Sequence, residues 1–183
     1  MARIRNIKPD VFKDEDLAEL PIAFRWLFVG LWGLADARGI LDYSPKRVMI
    51  EVLPFDGIPW AEVEAMVRIL EGKKQATPIQ GTSGTVKPYL QRYEVGGRQF
   101  LRVLRFNRHQ RPSKEEWATL ARAIADGRAH PPPPGPPPPV GWPWEETLAP
   151  FLTELDRRQK PRKKRETPPE SDDGTQEGHE GDE

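Results

Sequence analysis

Five arginines, Arg98, Arg102, Arg105, Arg108 and Arg111, fall within fourteen residues, and the aromatic residues Tyr93 and Phe100 sit among or just before them. Guanidinium groups grip phosphate oxygens, and an aromatic face can stack on an unpaired base, so this mixture points to nucleic-acid contact. The alternative is that the aromatics pack beneath a following helix while the arginines only solvate an edge strand. Two more basic clusters exist. Arg3, Arg5 and Lys8 form an N-terminal arm of the kind that can follow a groove. Residues 157–165 hold seven cations and no acid, among them Arg162, Lys163, Lys164 and Arg165. Seven phosphate contacts would give a salt slope of about −6 on duplex DNA.

Catalytic chemistry finds no such grouping. His109, His130 and His179 lie in separate segments without paired ligand spacing, and no cysteine is present. No Gly-rich phosphate loop and no recognisable nucleophile–base spacing occurs. The expectation is a non-enzymatic protein without metal or cofactor. The missing cysteines fit a reducing compartment, and the most apolar run, Trp26 to Ala35, is half the length needed to cross a bilayer. A cytoplasmic location without membrane contact follows as an expectation.

The 183 residues carry 28 basic and 28 acidic side chains, and the zero net charge alone would argue against a nucleic-acid partner. The balance is a cancellation between blocks. Residues 1–112 carry net +5, residues 113–156 net −4, residues 157–165 net +7 and residues 166–183 net −8. The adjoining opposite blocks suggest a tethered polyanion that competes with nucleic acid for the basic run.

The elements that must position these residues are punctuated by proline and glycine. Residues 22–35 are apolar nearly all round, as in a central buried helix, and Gly30 and Gly33 within it suggest that another backbone passes close by. Ile40-Leu41 reads as a short strand, and Ser44-Pro45 as the cap of a helix ending before Pro54. Trp60, Val63, Met66, Val67 and Leu70 recur at helical spacing. Residues 89–95 and 98–106 read as strands around Gly96-Gly97, a pair suited to a tight hairpin. With those two glycines as the loop, Val95 faces Arg98, Tyr93 faces Phe100, Arg92 faces Leu101 and Leu90 faces Val103.

Ser113 and Glu116 form a capping box before an amphipathic helix over 113–127. Eight prolines in residues 131–139 make a stiff spacer. Beyond it, Leu148, Phe151, Leu152 and Leu155 form a short apolar face, although Pro150 allows only the start of a helix there. That face either packs back on the domain or docks into a partner's groove. Residues 157–183 read as a disordered tail, basic then acidic.

The reading is therefore an α+β chain, mainly α, whose first 112 residues follow the element order of a winged helix-turn-helix. An added helix occupies 113–128, a proline-rich linker 129–143 and a short partner motif 144–156. On the third helix, however, the outward positions include Glu62, Glu64, Arg68 and Glu71, and three acids repel phosphate. Lys73 and Lys74 at its end, with Lys46 and Arg47 on the preceding helix, add cations at the margins.

Arg3-Ile-Arg-Asn-Ile-Lys-Pro9, Glu15-Asp-Leu-Ala-Glu-Leu-Pro21, Leu27-Phe-Val-Gly-Leu-Trp32, Ala35-Asp36, Pro45-Lys-Arg47, Tyr93-Glu-Val-Gly-Gly-Arg98 and Phe106-Asn-Arg-His-Gln110 form an ordered set. This set resembles the N-terminal domain of phage and prophage replication proteins over residues 1–112. The resemblance implies a winged-helix DNA-binding domain in a replication initiator or replisome organiser, whose C-terminal part engages a helicase, a helicase loader or single-stranded DNA. Residues 75–87 depart from that pattern, because in relatives the third helix runs almost directly into the wing. A transcription regulator on the same domain and a protein–protein adaptor are the alternative functions.

Overall fold

A computed structural model of the chain describes residues 3–72, 87–135 and 144–159, with side chains omitted at 144–146, 158 and 159. Lys73, Lys74, most of the 75–87 departure and the basic residues Arg162, Lys163, Lys164 and Arg165 lie outside the described residues. So does the tail from 160 onward.

The described chain is α+β. A 3-10 turn at Pro9–Phe12 and α1 (Glu15–Ala18) lead into α2 (Ile22–Leu34), followed by β1 (Ile40–Asp42), α3 (Pro45–Val52) and α4 (Trp60–Leu70). The hairpin β2 (Leu90–Val95) and β3 (Arg98–Val103) then gives way to α5 (Phe106–His109), α6 (Lys114–Ala125) and α7 (Trp144–Gln159). The three strands form one antiparallel sheet in the order β1-β3-β2. Its hairpin has the expected register, with Tyr93 opposite Phe100 and Val95 opposite Arg98. Both turn glycines take positive φ, +59° and +74°, the backbone region where a side chain is penalised.

α2 is the spine of the core. Phe24, Leu27, Phe28, Leu31 and Trp32 are buried along it, against Val63, Met66, Val67 and Leu70 of α4 and Leu90, Leu101 and Val103 of the sheet's inner face. The two glycines of α2 differ. At Gly33 the N-terminal arm's backbone crosses the helix, with the Arg3 amide donating to the Gly33 carbonyl at 2.9 Å, but a Cβ there would stand 3.6 Å from the Arg3 carbonyl oxygen, an ordinary contact, so the crossing does not demand glycine. At Gly30 the neighbour is a side chain: a Cβ placed there would lie 2.2 Å from Val52 Cγ1 of α3. Gly30 is what lets α3 seat against α2.

Several boundaries differ from the sequence reading. Ser44 occupies the N-cap of α3, but its side chain caps nothing. β3 ends at Val103 and not at 106, because Arg105 turns into left-handed backbone (φ 55°) and Phe106 folds inward under Gly39. α6 carries both hydrogen bonds of the capping box, Glu116 N–H to Ser113 Oγ and Ser113 N–H to Glu116 Oε2. α7 is longer than proline placement allowed. It continues through Pro150 to Gln159, so residues 157–159 belong to a helix and not to the tail. A mid-helix proline costs about 3 kcal/mol. Leu148 is buried, and Phe151, Leu152 and Leu155 pack beside it against Trp117, Leu120 and Ala121 of α6, which offsets that cost.

Gly30→Ala is expected to overpack the α2–α3 contact and lower stability by about 1–3 kcal/mol, read as a fall in the denaturation midpoint. Adding Val52→Ala should restore part of that loss. A Gly30→Ala chain as stable as the parent would show that α3 does not sit where the structure puts it.

Candidate nucleic-acid interface

The predicted cations separate into those the fold consumes and those it leaves outside. The last turn of α2 ends with carbonyl groups that have no helical donor, and such groups demand partners when buried. The N-terminal arm supplies them. Arg5 is 6% exposed; its Nε donates to the Trp32 carbonyl at 3.0 Å, one terminal nitrogen to Ala35 at 2.9 Å and the other to Glu116 at 2.7 Å. Its guanidinium also lies 5.3 Å from the Phe106 ring centroid. Arg3, partly exposed, donates to the Leu34 and Ala35 carbonyls.

The arm is pinned further along by the segment after β3. Gln110, 2% exposed, donates to the Asn6 carbonyl at 2.7 Å and accepts from the Asn6 amide at 3.2 Å. Lys8 donates to the Arg108 carbonyl. The expectation of a groove-following arm is therefore corrected. Arg5 is a helix cap, and Arg3 and Lys8 are largely engaged in the same seam.

The base-stacking expectation is corrected as well. Phe100 is 1% exposed and Tyr93 8%, and with Ile40 they form a small cluster on the outer face of the sheet. The chain after α6 covers them. The Tyr93 hydroxyl donates to the Pro131 carbonyl at 2.7 Å, the His130 ring lies 5.9 Å from that of Phe100, and Arg38 donates to the His130 carbonyl at 2.7 Å. Arg38 is in turn held by the buried Asp36 carboxylate at 2.7 Å. These aromatics do pack under a cover, but the cover is the 128–131 segment and not the helix over 113–127. Arg102 lies half-buried on the same face, opposite Ile40 and Gln91.

Near the hairpin tip, Arg98 is 65% exposed and bridges to Asp42 at 2.6 Å. Arg47, on the first turn of α3, bridges to Glu51 at 2.6 Å, and Lys46 lies over the Trp60 ring. Exposed pairs of this kind contribute about 0–1 kcal/mol, so a phosphate could replace the carboxylate at little cost.

At the opposite end of β3 the situation differs. Arg105, Arg108, Arg111 and Lys114 recur at every third position, all are exposed, and residues 104–114 contain no acid. None of the four makes an ion pair among the described residues. Lys114 was missed in the sequence because it opens the next helix; the acid-free, three-residue spacing was the available signal. Six residues of strand at about 3.4 Å each set this group roughly 20 Å from the hairpin tip.

The acids on α4 resolve in an unexpected way. Glu64 and Glu71 turn toward the sheet. Arg92 of β2 meets Glu64 at 2.7 Å and Glu71 at 3.1 Å, and the Tyr43 hydroxyl donates to Glu64 at 2.5 Å. The Glu71 side chain is 3% exposed. On the outward side of α4, Glu62 is the remaining acid of the three, and Arg68, 3.8 Å from Glu64, is its exposed cation.

The two histidines among the described residues are taken up in packing. His109 stacks on Trp32 with ring centroids 5.5 Å apart, and His130 lies in the cover over Phe100. Among the described residues no group of three or more His, Cys, Asp or Glu is placed to hold a metal, and no helix is long and apolar enough to cross a membrane.

Burial, helped by the nearby Lys8, holds the His109 imidazole below its ordinary value, and burial does the same to His130. Both rings are thus kept neutral in the fold. Their stabilisation is complete above the unfolded value of about 6.5 and is lost as the pH falls toward the lowered folded values. The melting temperature should therefore drop between about pH 7 and pH 5.5, and His109→Gln with His130→Gln should flatten that drop. An unchanged pH profile in the double variant would contradict the burial of both rings. Compared with known proteins, the chain matches no protein-family model, no curated protein and no solved structure.

Proposed function

We propose that this chain is a DNA-binding replication protein of phage type, which docks on the sugar–phosphate backbone and recruits a helicase, a helicase loader or another replication factor. The observation that carries the DNA part is the row Arg105, Arg108, Arg111 and Lys114, all exposed and none in a salt bridge among the described residues, with Glu115 the acid that acts on Lys114. Regularly spaced, exposed cations on a surface are the electrostatic footprint of a polyanion site. Lys46, Arg47 and Arg98 at the hairpin tip provide a second contact about one strand-length away.

The fold supports this reading in its order of parts. Helix α2, a short strand, α3, a turn, α4 and a hairpin follow the winged-helix succession, and the hairpin would serve as the wing. With Glu64 and Glu71 turned inward to Arg92, the repulsion expected from α4 is reduced to Glu62. The outward face of α4 still offers few donors for base edges, so the binding would be dominated by phosphate contacts. In this reading the 157–165 basic run adds further contacts, the 166–183 acidic run competes for them, and the Leu148, Phe151, Leu152 and Leu155 face, which lies on α6 in this structure, would be the element offered to a replication partner.

The adaptor alternative draws on one observation: Phe55 is 98% exposed in the α3–α4 turn, with Ile50 and Trp60 exposed beside it in sequence. Such residues suit a protein contact.

A salt-titrated binding assay on duplex DNA decides between them. The full chain should bind at about 50 mM salt with a steep negative dependence of log K on log salt. Replacing Arg105, Arg108 and Arg111 by alanine should flatten that slope by about 2 to 3. Absence of binding at low salt would overturn the DNA reading and favour the adaptor.

A further inference from the structure

α7 runs antiparallel to α6, and that direction decides where the second basic cluster begins. Leu148, near the start of α7, is buried with Leu120 and Ala121, and further along the helix Phe151 and Leu155 share a hollow with Lys114 and Ala118 in the first two turns of α6. The C-terminal end of α7 therefore emerges beside Lys114, the last cation of the exposed row. From Leu155 to Gln159 the helix rises about 6 Å, so the 157–165 run starts within about one turn of that point. Arg157 is 75% exposed and pairs with Glu154 of its own helix at 3.2 Å, an exposed pair that contributes about 0–1 kcal/mol. The six residues 160–165 carry five more cations and reach at most about 20 Å.

We propose that the α6–α7 contact is a positioning device for DNA: it delivers the 157–165 run beside Lys114, so that the run and the row form one track for the backbone of a single duplex. The inference rests on the DNA reading above. Both groups have one sign, and at their junction Glu154 turns to Arg157 while Glu115 stands beside Lys114. A duplex presents phosphates continuously along both strands, so it can meet the two groups at once.

Seating matters through effective concentration. If α7 left α6, the run would be tethered to the row only through the proline-rich 129–143 connection, and its local concentration at the neighbouring phosphates would fall. Leu148, Phe151, Leu152 and Leu155 are thus positioning residues for DNA binding, although they face α6 and not the phosphates.

A double-mutant cycle on duplex affinity tests this. On a duplex of about 15 base pairs at about 100 mM salt, Leu148→Asn leaves the charge unchanged and should weaken binding by the full chain about tenfold. In a chain with Arg162, Lys163, Lys164 and Arg165 replaced by alanine, the same substitution should cost nothing, because the run it positions is gone. Leu155→Asn, at a half-buried site, should give the same pattern if Leu148→Asn disturbs folding. Because the chain has no cysteine, a spin label on Arg162→Cys reads the placement without DNA: it should broaden the amide resonances of residues 113–118, and Leu148→Asn should remove that broadening. Equal losses with and without the run, binding that neither leucine substitution weakens, or a label that leaves residues 113–118 sharp would overturn the proposal while the DNA reading stands. Failure of the full chain to bind any duplex at low salt would overturn the DNA reading and the track with it, even with the label showing the run in place.

Discussion

One guanidinium ties the sheet to the helices. Arg92 leaves the inner face of β2, reaches Glu64 on α4 and Glu71 at its C-cap, and lies 4.6 Å from the ring centroid of Tyr43 at the β1–α3 junction. Burial opposes its charge, but the hydrogen bond it donates to Glu64 and the nearby acids raise its pKa above the ordinary arginine value. Breaking such a pair from one side strands a partly buried charge, at a cost of several kcal/mol. Arg92 thus links the hairpin to α4, and the two acids that would oppose a phosphate face inward. The electrostatic character of the outer surface is a consequence of this internal network.

A second seam works by the same principle at the other end of α2. Helix-terminal carbonyls recruit Arg3 and Arg5, Gln110 clamps the Asn6 backbone, and Glu116 of α6 closes the set. The arm satisfies the end of α2, and the segments at 110 and 116 in turn hold the arm. This seam fixes α5 in place, so Arg105, Arg108 and Arg111 project from a fixed backbone and not from a free loop. Preordered cations lose less entropy on meeting a phosphate than side chains on a mobile tail.

The fold was legible wherever local chemistry decided it. Gly96-Gly97 set the hairpin register residue by residue, and Ser113 with Glu116 placed the start of α6. α1 and α5, four residues each, show too few positions for any periodicity. Pro150 misled because its local penalty is offset by Leu148 and its neighbours on α6, a tertiary gain invisible to a local rule. The site was less legible than the fold. A sequence shows that Arg5 and Arg105 are both cations, but not that one faces the bare carbonyls of α2 and the other solvent. Nor does it show that Tyr93 and Phe100 lie beneath His130 and Pro131, thirty residues on. The acids of α4 were misjudged in the opposite direction, because their partner Arg92 lies across the core on a different element.

The central claim is that the 104–114 stretch, and not the arm or the exposed aromatics of the α3–α4 turn, meets the DNA backbone. Titrating an isotope-labelled chain with a short duplex while following backbone amide resonances tests this directly. The account predicts the largest shifts at residues 105–114, smaller ones at 46–47 and 96–98, and little change at Arg5. Shifts confined to residues 50–62, or centred on the arm, would contradict it.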